Sequence, residues 1–484
     1  MTLLRKILFV LSLIGASVAW PLVSYCAPQQ EVRTLIIAGD PDDQLTVDSI
    51  NAAYAISAER GPTFALVSNG LPKTWVAEKS ISTYFHYAWI QENKLAEFKI
   101  PDAARDRATA INVNKAIDQL GSDFDGTLVI FVSDHGAPSE KNGEFGDGHI
   151  ILGPTSTRLA NKKETSLELK GDEIKLQTMK MSDLESAIRR LPPSVKVKVV
   201  ADNCFSGGFH EIAFRNPNVC SASSTDAASI SYGSDYSFGF WKARYLDRPT
   251  SLAKAHATGT AWTMSDNEAR STLSSMAYID KILHIGPYDK NAREPILTFD
   301  DFIHTPVPEL LDRLQLGTPT TGINKTLGLS MHETPVLCTL RSTLGKLNEF
   351  NNELQASMTD AQLGQVMEFV PANAREALTA ALRDWKSKQA EYNQRLTRID
   401  TNMNRKIENW RKKLEMLPSS AQLMYKEYVA YDKVEQERVK LANEIKLDYV
   451  TMQQLAKLSR FLKTASDEQK KTLKRLLECE WEAF

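Results

Sequence analysis

From Thr34 to about Leu283, short apolar runs alternate with amphipathic segments, the pattern of a parallel sheet covered by helices. Strands are expected at Thr34 to Ala38, Thr63 to Val67, Thr127 to Val132, His149 to Leu152 and Val195 to Ala201. Between them, Val47 to Glu59, Asn112 to Leu120 and Met181 to Leu191 carry apolar positions at helical spacing. Ser182 and Glu185 have the spacing of a capping box for the last of these helices. The pattern predicts a doubly wound α/β core, with a mostly parallel sheet sandwiched by helices.

The pattern changes after that core. From Thr305 to Thr339 the chain is rich in Pro, Gly and Thr, and its apolar residues keep neither a helical nor a strand period, so it reads as a linker. After Gly364 there is no glycine, and only Pro371 and Pro418 interrupt a region that is helical by propensity. Thr359 with Gln362, Asn373 with Glu376 and Ser466 with Gln469 mark helix starts. Trp385, Tyr392, Leu396, Ile399, Met403, Ile407, Trp410 and Leu414 form one apolar stripe; Leu441, Ile445, Tyr449, Met452 and Ala456 form a second. Two such helices pack as an antiparallel, coiled-coil-like hairpin, with a third helix after Ser466. The expected units are therefore 1–27 (export signal and start of the mature chain), 28–304 (α/β domain), 305–344 (linker) and 345–484 (all-α domain).

Composition removes several function classes. A hydrophobic fraction of 42%, a charged fraction of 24% and a net charge of -2 are globular values. No basic block with interleaved aromatics is present to neutralise a phosphate backbone, so no nucleic-acid partner is expected. Arg5-Lys6, the apolar run Ile7 to Ile14 and the small residues through Ala19 read as a secretory signal, with an uncleaved anchor as the lesser alternative. The five cysteines, at 26, 204, 220, 338 and 479, lack metal-site spacing, so neither metal nor cofactor is expected. One bridge among the last three is compatible with export.

The chemistry lies at two strand ends. One strand runs into Ser133-Asp134-His135-Gly136; another runs into Asp202-Asn203-Cys204-Phe205-Ser206-Gly207-Gly208. Loops leaving the carboxyl ends of neighbouring strands line a shared crevice, so His135 and Cys204 can meet there. An imidazole beside a weakly ionised thiol can take its proton and later protonate a leaving amine. Gly136 lets the backbone pass close to a substrate, and the amides of Gly136 and Cys204 can point at an oxyanion. His210-Glu211 lacks the second histidine of a zinc-protease helix, since Phe214 stands in its place. Cys220, His86 and His149 are read as structural, and Asp40 or Asp42 as a candidate partner for His135.

A hydrophobic strand ending in His-Gly, followed by one ending in Asp-x-Cys with Ser-Gly behind it, resembles the clan CD cysteine peptidases, and most of all the legumain family. Ser133-Asp-His-Gly136 is similar to that family's Thr-Asp-His-Gly, and Asp202-Asn-Cys204-Phe-Ser206-Gly207 to its Glu-Ala-Cys-Glu-Ser-Gly. Asn218 to Thr225 resembles the next strand and loop, and Ile230-Ser-Tyr232 its Ser-Ser-Tyr. The resemblance spans about residues 34 to 285. It implies a caspase-hemoglobinase-like fold, a His135–Cys204 dyad and endopeptidase action on peptides or proteins. It also implies an acidic pocket for the leading substrate residue, made by Asp202, Ser231 and Asp235. The family places an arginine after its first strand, where this chain has Leu45 or a neighbour. Without that arginine a carboxylate pocket attracts a cation by Coulomb's law, so Arg/Lys and Asn both remain open as leading residues. The same dyad serves transpeptidation in some relatives. From another class comes a catalytically silent scaffold, displaying the C-terminal helices to a partner. Those helices could also hold the enzyme latent.

Overall fold

The computed structural model describes residues 31–39, 41, 44–78, 92–138, 148–152, 178–229, 231, 235–246, 250–262, 271–285, 288, 344–349, 352, 360–372, 375, 385–414, 437, 441, 444–445 and 454–484. Residues 1–30, where an export signal is expected, Asp40, Asp42, His86, residues 305–343 and the expected caps Thr359 and Asn373 lie outside them, as do the side chains of Leu45, Asp235 and the stripe beyond Ile399 on its helix.

Within the described residues the elements run β1 (Val32–Ala38), α1 (Gln44–Ala58), β2 (Thr63–Val67), β3 (Lys73–Glu78), β4 (Glu92–Glu97), β5 (Arg105–Asp106), α2 (Ala110–Gly121), β6 (Thr127–Asp134), β7 (Gly136–Ala137), β8 (His149–Ile151) and β9 (Thr178–Lys180). They continue with α3 (Met181–Ile188), β10 (Lys196–Asn203), α4 (His210–Arg215), β11 (Val219–Ser223), α5 (Asp235–Leu246), α6 (Leu252–Trp262), β12 (Thr272–Leu273) and α7 (Ser274–Leu283). The all-α region contributes α8 (Asp360–Phe369), α9 (Trp385–Leu414) and α10 (Asp467–Trp481), with a further helix over 454–464.

The central sheet has the order β12-β11-β10-β6-β1-β2-β5, and every pairing is parallel except β11 with β12. Parallel strands are buried on both faces, which is why Leu35–Ala38 of β1 and Leu128–Val132 of β6 are continuous apolar runs, while β10 buries Lys198 among its valines. One face packs Leu35, Ile130, Val132 and Val199 against Val113 and Ile117 of α2, Leu184 of α3 and Ile212 of α4. The other packs Ile36, Phe131 and Val200 against Ile50 of α1, Phe240 and Trp241 of α5 and Leu252 of α6. The chain builds outward from β1 through β2 and β5, then returns to its other side with β6, β10 and β11. The reversal leaves a crevice at the carboxyl edge beside β6.

The expected capping box in this core does not form. α3 starts at Met181, whose N–H bonds the Gly148 carbonyl at 3.0 Å, and Lys180 stands at the cap position without a side-chain bond. The buried Glu185 carboxylate turns instead to Arg189 at 2.6 Å, Arg215 at 3.1 Å and the Asn216 amide at 3.1 Å. An ion in low dielectric needs cations more than a helix start needs a second cap.

In the all-α region, Tyr392, Leu396 and Ile399 of α9 are buried, as are Leu441 and Ile445. Arg395 pairs with Glu444, and Arg398 with Glu437 at 3.4 Å. The partner number falls as the α9 number rises, the sense of an antiparallel pair. Val366 and Val370, Leu455, Leu458 and Phe461, and Leu473 and Leu477 gather on Met276, Ile279 and Leu283 of α7. α10 opens with the expected capping box of Ser466 and Gln469. A disulfide joins Cys479 near its end to Cys220 in β11, so a bridge does form among the three cysteines singled out from sequence. Among the described residues no helix is long and apolar enough to cross a membrane.

Candidate functional site

β6 and β10 are adjacent and parallel, with Asp134 opposite Asn203 as their last paired residues. His135 and Cys204 are therefore the next residues on two chains that lie about 4.8 Å apart. The backbone carbonyl of His135 accepts the Ile151 N–H at 3.1 Å, which ties the histidine to β8. Gly136 then passes against the end of β10, where a Cβ would overlap the Cys204 carbonyl oxygen and the Asn203 amide nitrogen. No other residue allows this approach.

Past Cys204 the chain turns sharply. Phe205 takes a left-handed conformation with φ 61° and its N–H bonds the Ser229 carbonyl at 2.8 Å; a 3-10 turn over Ser206–Phe209 follows. A bulky residue at positive φ stores strain of about 1–3 kcal/mol and presents its neighbour at a corner. Gly207 packs against the backbone of Asp226 and Ala227, which fixes the turn.

The Cys204 thiol is half-buried, is not part of a disulfide, and donates to the Ser231 carbonyl at 3.7 Å. Burial pushes its pKa above the ordinary thiol value; the backbone of Ser231, of Gly136 and of Cys204 itself pulls the other way, and the Asp202 charge adds to the rise. The backbone groups expected to bind an oxyanion, at Gly136 and Cys204, thus both interact with the sulfur.

Asp202 is buried on the opposite side of β10 from Asn203. Its carboxylate accepts the Ser237 N–H at 3.2 Å, the Ser237 hydroxyl, and the Ser231 hydroxyl at 3.5 Å. Ser237 stands in the first turn of α5, so Asp202 also anchors that helix through its N-terminal amides. Ser231 reaches Ser224 at 3.3 Å, and Ser224 reaches Ser206 at 3.4 Å. The fold thus brings together His135, Gly136, Cys204, Asp202 and Ser231. Asp235 starts α5, with its side chain outside the described residues.

Three contributors were not found in the sequence. Ser237 serves Asp202 from a helix start that no pattern marks, and Phe205 carries the strained turn. Asn203 is fully buried and donates from Nδ2 to the Cys204 carbonyl at 2.9 Å, while its Oδ1 meets no donor among the described residues. Such an orphan costs about 1–3 kcal/mol. Strand alternation alone places Asn203 facing away from Asp202.

Two buried histidines play no part here. His210 bridges Ser221 at 2.7 Å and Ser223 at 2.9 Å, and His256 meets the Tyr236 hydroxyl at 2.7 Å. Burial lowers each to a pKa of about 3. Among the described residues no group of three or more His, Cys, Asp or Glu converges as a metal ion requires. A hollow of about 550 Å³ along α9 is lined by Asn393, Gln394, Thr397, Arg398, Thr401 and Asn402.

No family model and no curated protein matches this chain. Among solved structures it is similar to protein GSU0716 from Geobacter sulfurreducens, with 13% identity over 50% of this chain and 91% of that one and a TM-score of 0.29. A likeness of that size carries no argument for fold or function.

Proposed function

We propose that the chain is an exported cysteine endopeptidase of legumain and caspase character, cleaving after a polar or basic residue. The observation that carries this reading is the β6–β10 register, with His135 and Cys204 leaving paired strands side by side and the Gly136 and Cys204 backbone at the sulfur. In the reaction the Cys204 sulfur attacks the scissile carbonyl carbon while His135 takes the thiol proton. The amides of Gly136 and Cys204 hold the oxyanion, and His135 returns the proton to the leaving amine. Water, activated by the same histidine, releases the acyl group; an amine in its place would give transpeptidation. Asp202 puts a buried carboxylate beside the thiol, which favours Arg or Lys over Asn in the leading position. Export is supported by the Cys220–Cys479 bridge, because disulfides persist in oxidising compartments.

Peptides with Arg, Lys or Asn before the scissile bond are the test. Cleavage should vanish in both Cys204→Ala and His135→Ala, and cleavage that persists in either sinks the assignment. A silent scaffold is the second reading, favoured by the upward-shifted thiol and by the commitment of Asp202 to α5. Failure of a thiol-reactive peptidyl ketone to label Cys204 would support it.

A further inference from the structure

Asn203 lies against both loops that leave the sheet at the nucleophile. Its Nδ2 holds the Cys204 carbonyl at 2.9 Å, and the same amide nitrogen fills the space where Gly136 lacks a Cβ. One side chain thus touches the backbone of both loops. It does so from complete burial, with no donor to Oδ1 among the described residues, beside a residue held at φ 61°. Packing alone does not explain an asparagine here, because the side chain buries one amide oxygen without a donor among the described residues in order to bring its nitrogen to the Cys204 carbonyl. Strain and unsatisfied groups concentrated at a nucleophile point to function.

We propose that Asn203 is a positioning residue that sets the separation and orientation of the Gly136 and Cys204 amides. The assignment rests on the dyad reading above. By fixing the Cys204–Phe205 peptide through its carbonyl, Asn203 stops the nucleophile turn from rotating about the strand end. By packing under Gly136, it keeps the second amide at the same point. Both effects matter when charge develops on the substrate oxygen and little when substrate first binds.

The test uses the full-length, oxidised protein. Asn203→Leu keeps the volume and loses the donor; Asn203→Ala loses both. Loss of a whole oxyanion donor costs about 100- to 1,000-fold in kcat, so loosening two without removing either should cost about 30-fold. The expected result for Asn203→Leu is that fall in kcat, a KM within about threefold of the parent, and a melting temperature close to the parent's, since the lost orphan oxygen offsets the Cys204 carbonyl left without its donor. Labelling of Cys204 by a peptidyl ketone should slow in proportion. The proposal is overturned if kcat stays within twofold of the parent, or if kcat and melting temperature fall together in both variants. His135→Ala separates the two levels. If it too retains hydrolysis, the dyad reading falls; if it abolishes hydrolysis while Asn203→Leu does not, only the role of Asn203 falls.

Discussion

Several polar groups in the core are held in their neutral forms, and they give the protein a pH dependence that can be written down. His210 and His256 have folded pKa values of about 3, against about 6.5 for an unfolded histidine. As pH falls below 6.5 the unfolded chain takes up protons that the native chain cannot accept, so stability is lost. Glu480 works in the opposite sense. Burial raises it to about 7, opposed by bonds from Ser274 and Ser275, so between about pH 4.5 and 7 the native chain keeps a proton that the unfolded chain has released. Between about pH 6.5 and 4.5 each histidine costs about 1.4 kcal/mol for each pH unit of acidification, set against Glu480 and Asp280, whose carboxyls burial raises. Urea titrations across that window should show His256→Gln losing about 1.4 kcal/mol less for each pH unit of acidification than the parent. An unchanged slope in the variant would mean that His256 is not held neutral. The Cys204 thiol belongs to the same class, since a protonated resting sulfur is a poor target for oxidation in an oxidising compartment.

At the scale of elements, α10 shows what pattern reading reaches and what it does not. Its Ser466 cap and its apolar positions are local features, visible within one window of sequence. Its docking site is not, because the partners come from strands far earlier in the chain. Arg475 donates to the Ala213, Asn216 and Val219 carbonyls at 2.9, 2.7 and 3.3 Å, covering the end of α4 as a cation should. Glu480 is received by Ser274 and Ser275 at the start of α7. None of these partners is marked by spacing. The cysteine count hinted at the bridge but left three choices. The site divides in the same way. His135, Gly136 and Cys204 were legible because apolar strands ended in reactive residues, whereas Asn203 and Ser237 act from a strand face and a helix start that look ordinary. The β3–β4 hairpin escaped notice because Lys73, Glu92 and Lys94 interrupt its apolar pattern. The Cys220–Cys479 bridge closes a loop of 259 residues, for which chain entropy gives stabilisation of roughly 5–6 kcal/mol. Replacing both cysteines by alanine should lower the urea midpoint accordingly. Reductant should bring the parent to the same midpoint and leave the variant unmoved; a parent insensitive to reductant would contradict the bridge.

For the whole molecule the question is whether the helices after the linker can be removed. Leu476 belongs to the apolar cluster on one face of the sheet and Phe484 to the cluster on the other. The last residues also hold cations inside the core. Lys198, buried in mid-β10, donates to the Cys479 and Glu482 carbonyls at 3.0 and 2.6 Å, and Arg244 lies over the Phe484 ring at 4.1 Å. Burial lowers Lys198 to about 7, so losing its two acceptors would strand a charge in the core. Lys198 precedes Cys204 by six positions, about 20 Å along an extended chain, so this docking region lies toward the start of β10 and the dyad just past its end. A segment that covers the far end of the sheet and completes both apolar faces is part of the folding unit. An inhibitor that leaves on maturation would instead block the crevice and separate cleanly. A protease site placed between Thr305 and Thr339 decides the matter. After cleavage the two pieces should migrate together until the disulfide is reduced, and the nicked, oxidised protein should keep its activity within about twofold, the change expected when a distant surface peptide is cut. Truncation before Gly345 should yield aggregated protein, because it uncovers Lys198 and both faces at once. A large rise in activity on nicking alone would instead assign latency to the helical hairpin, and would place its inhibitory contact on α9 rather than on α10.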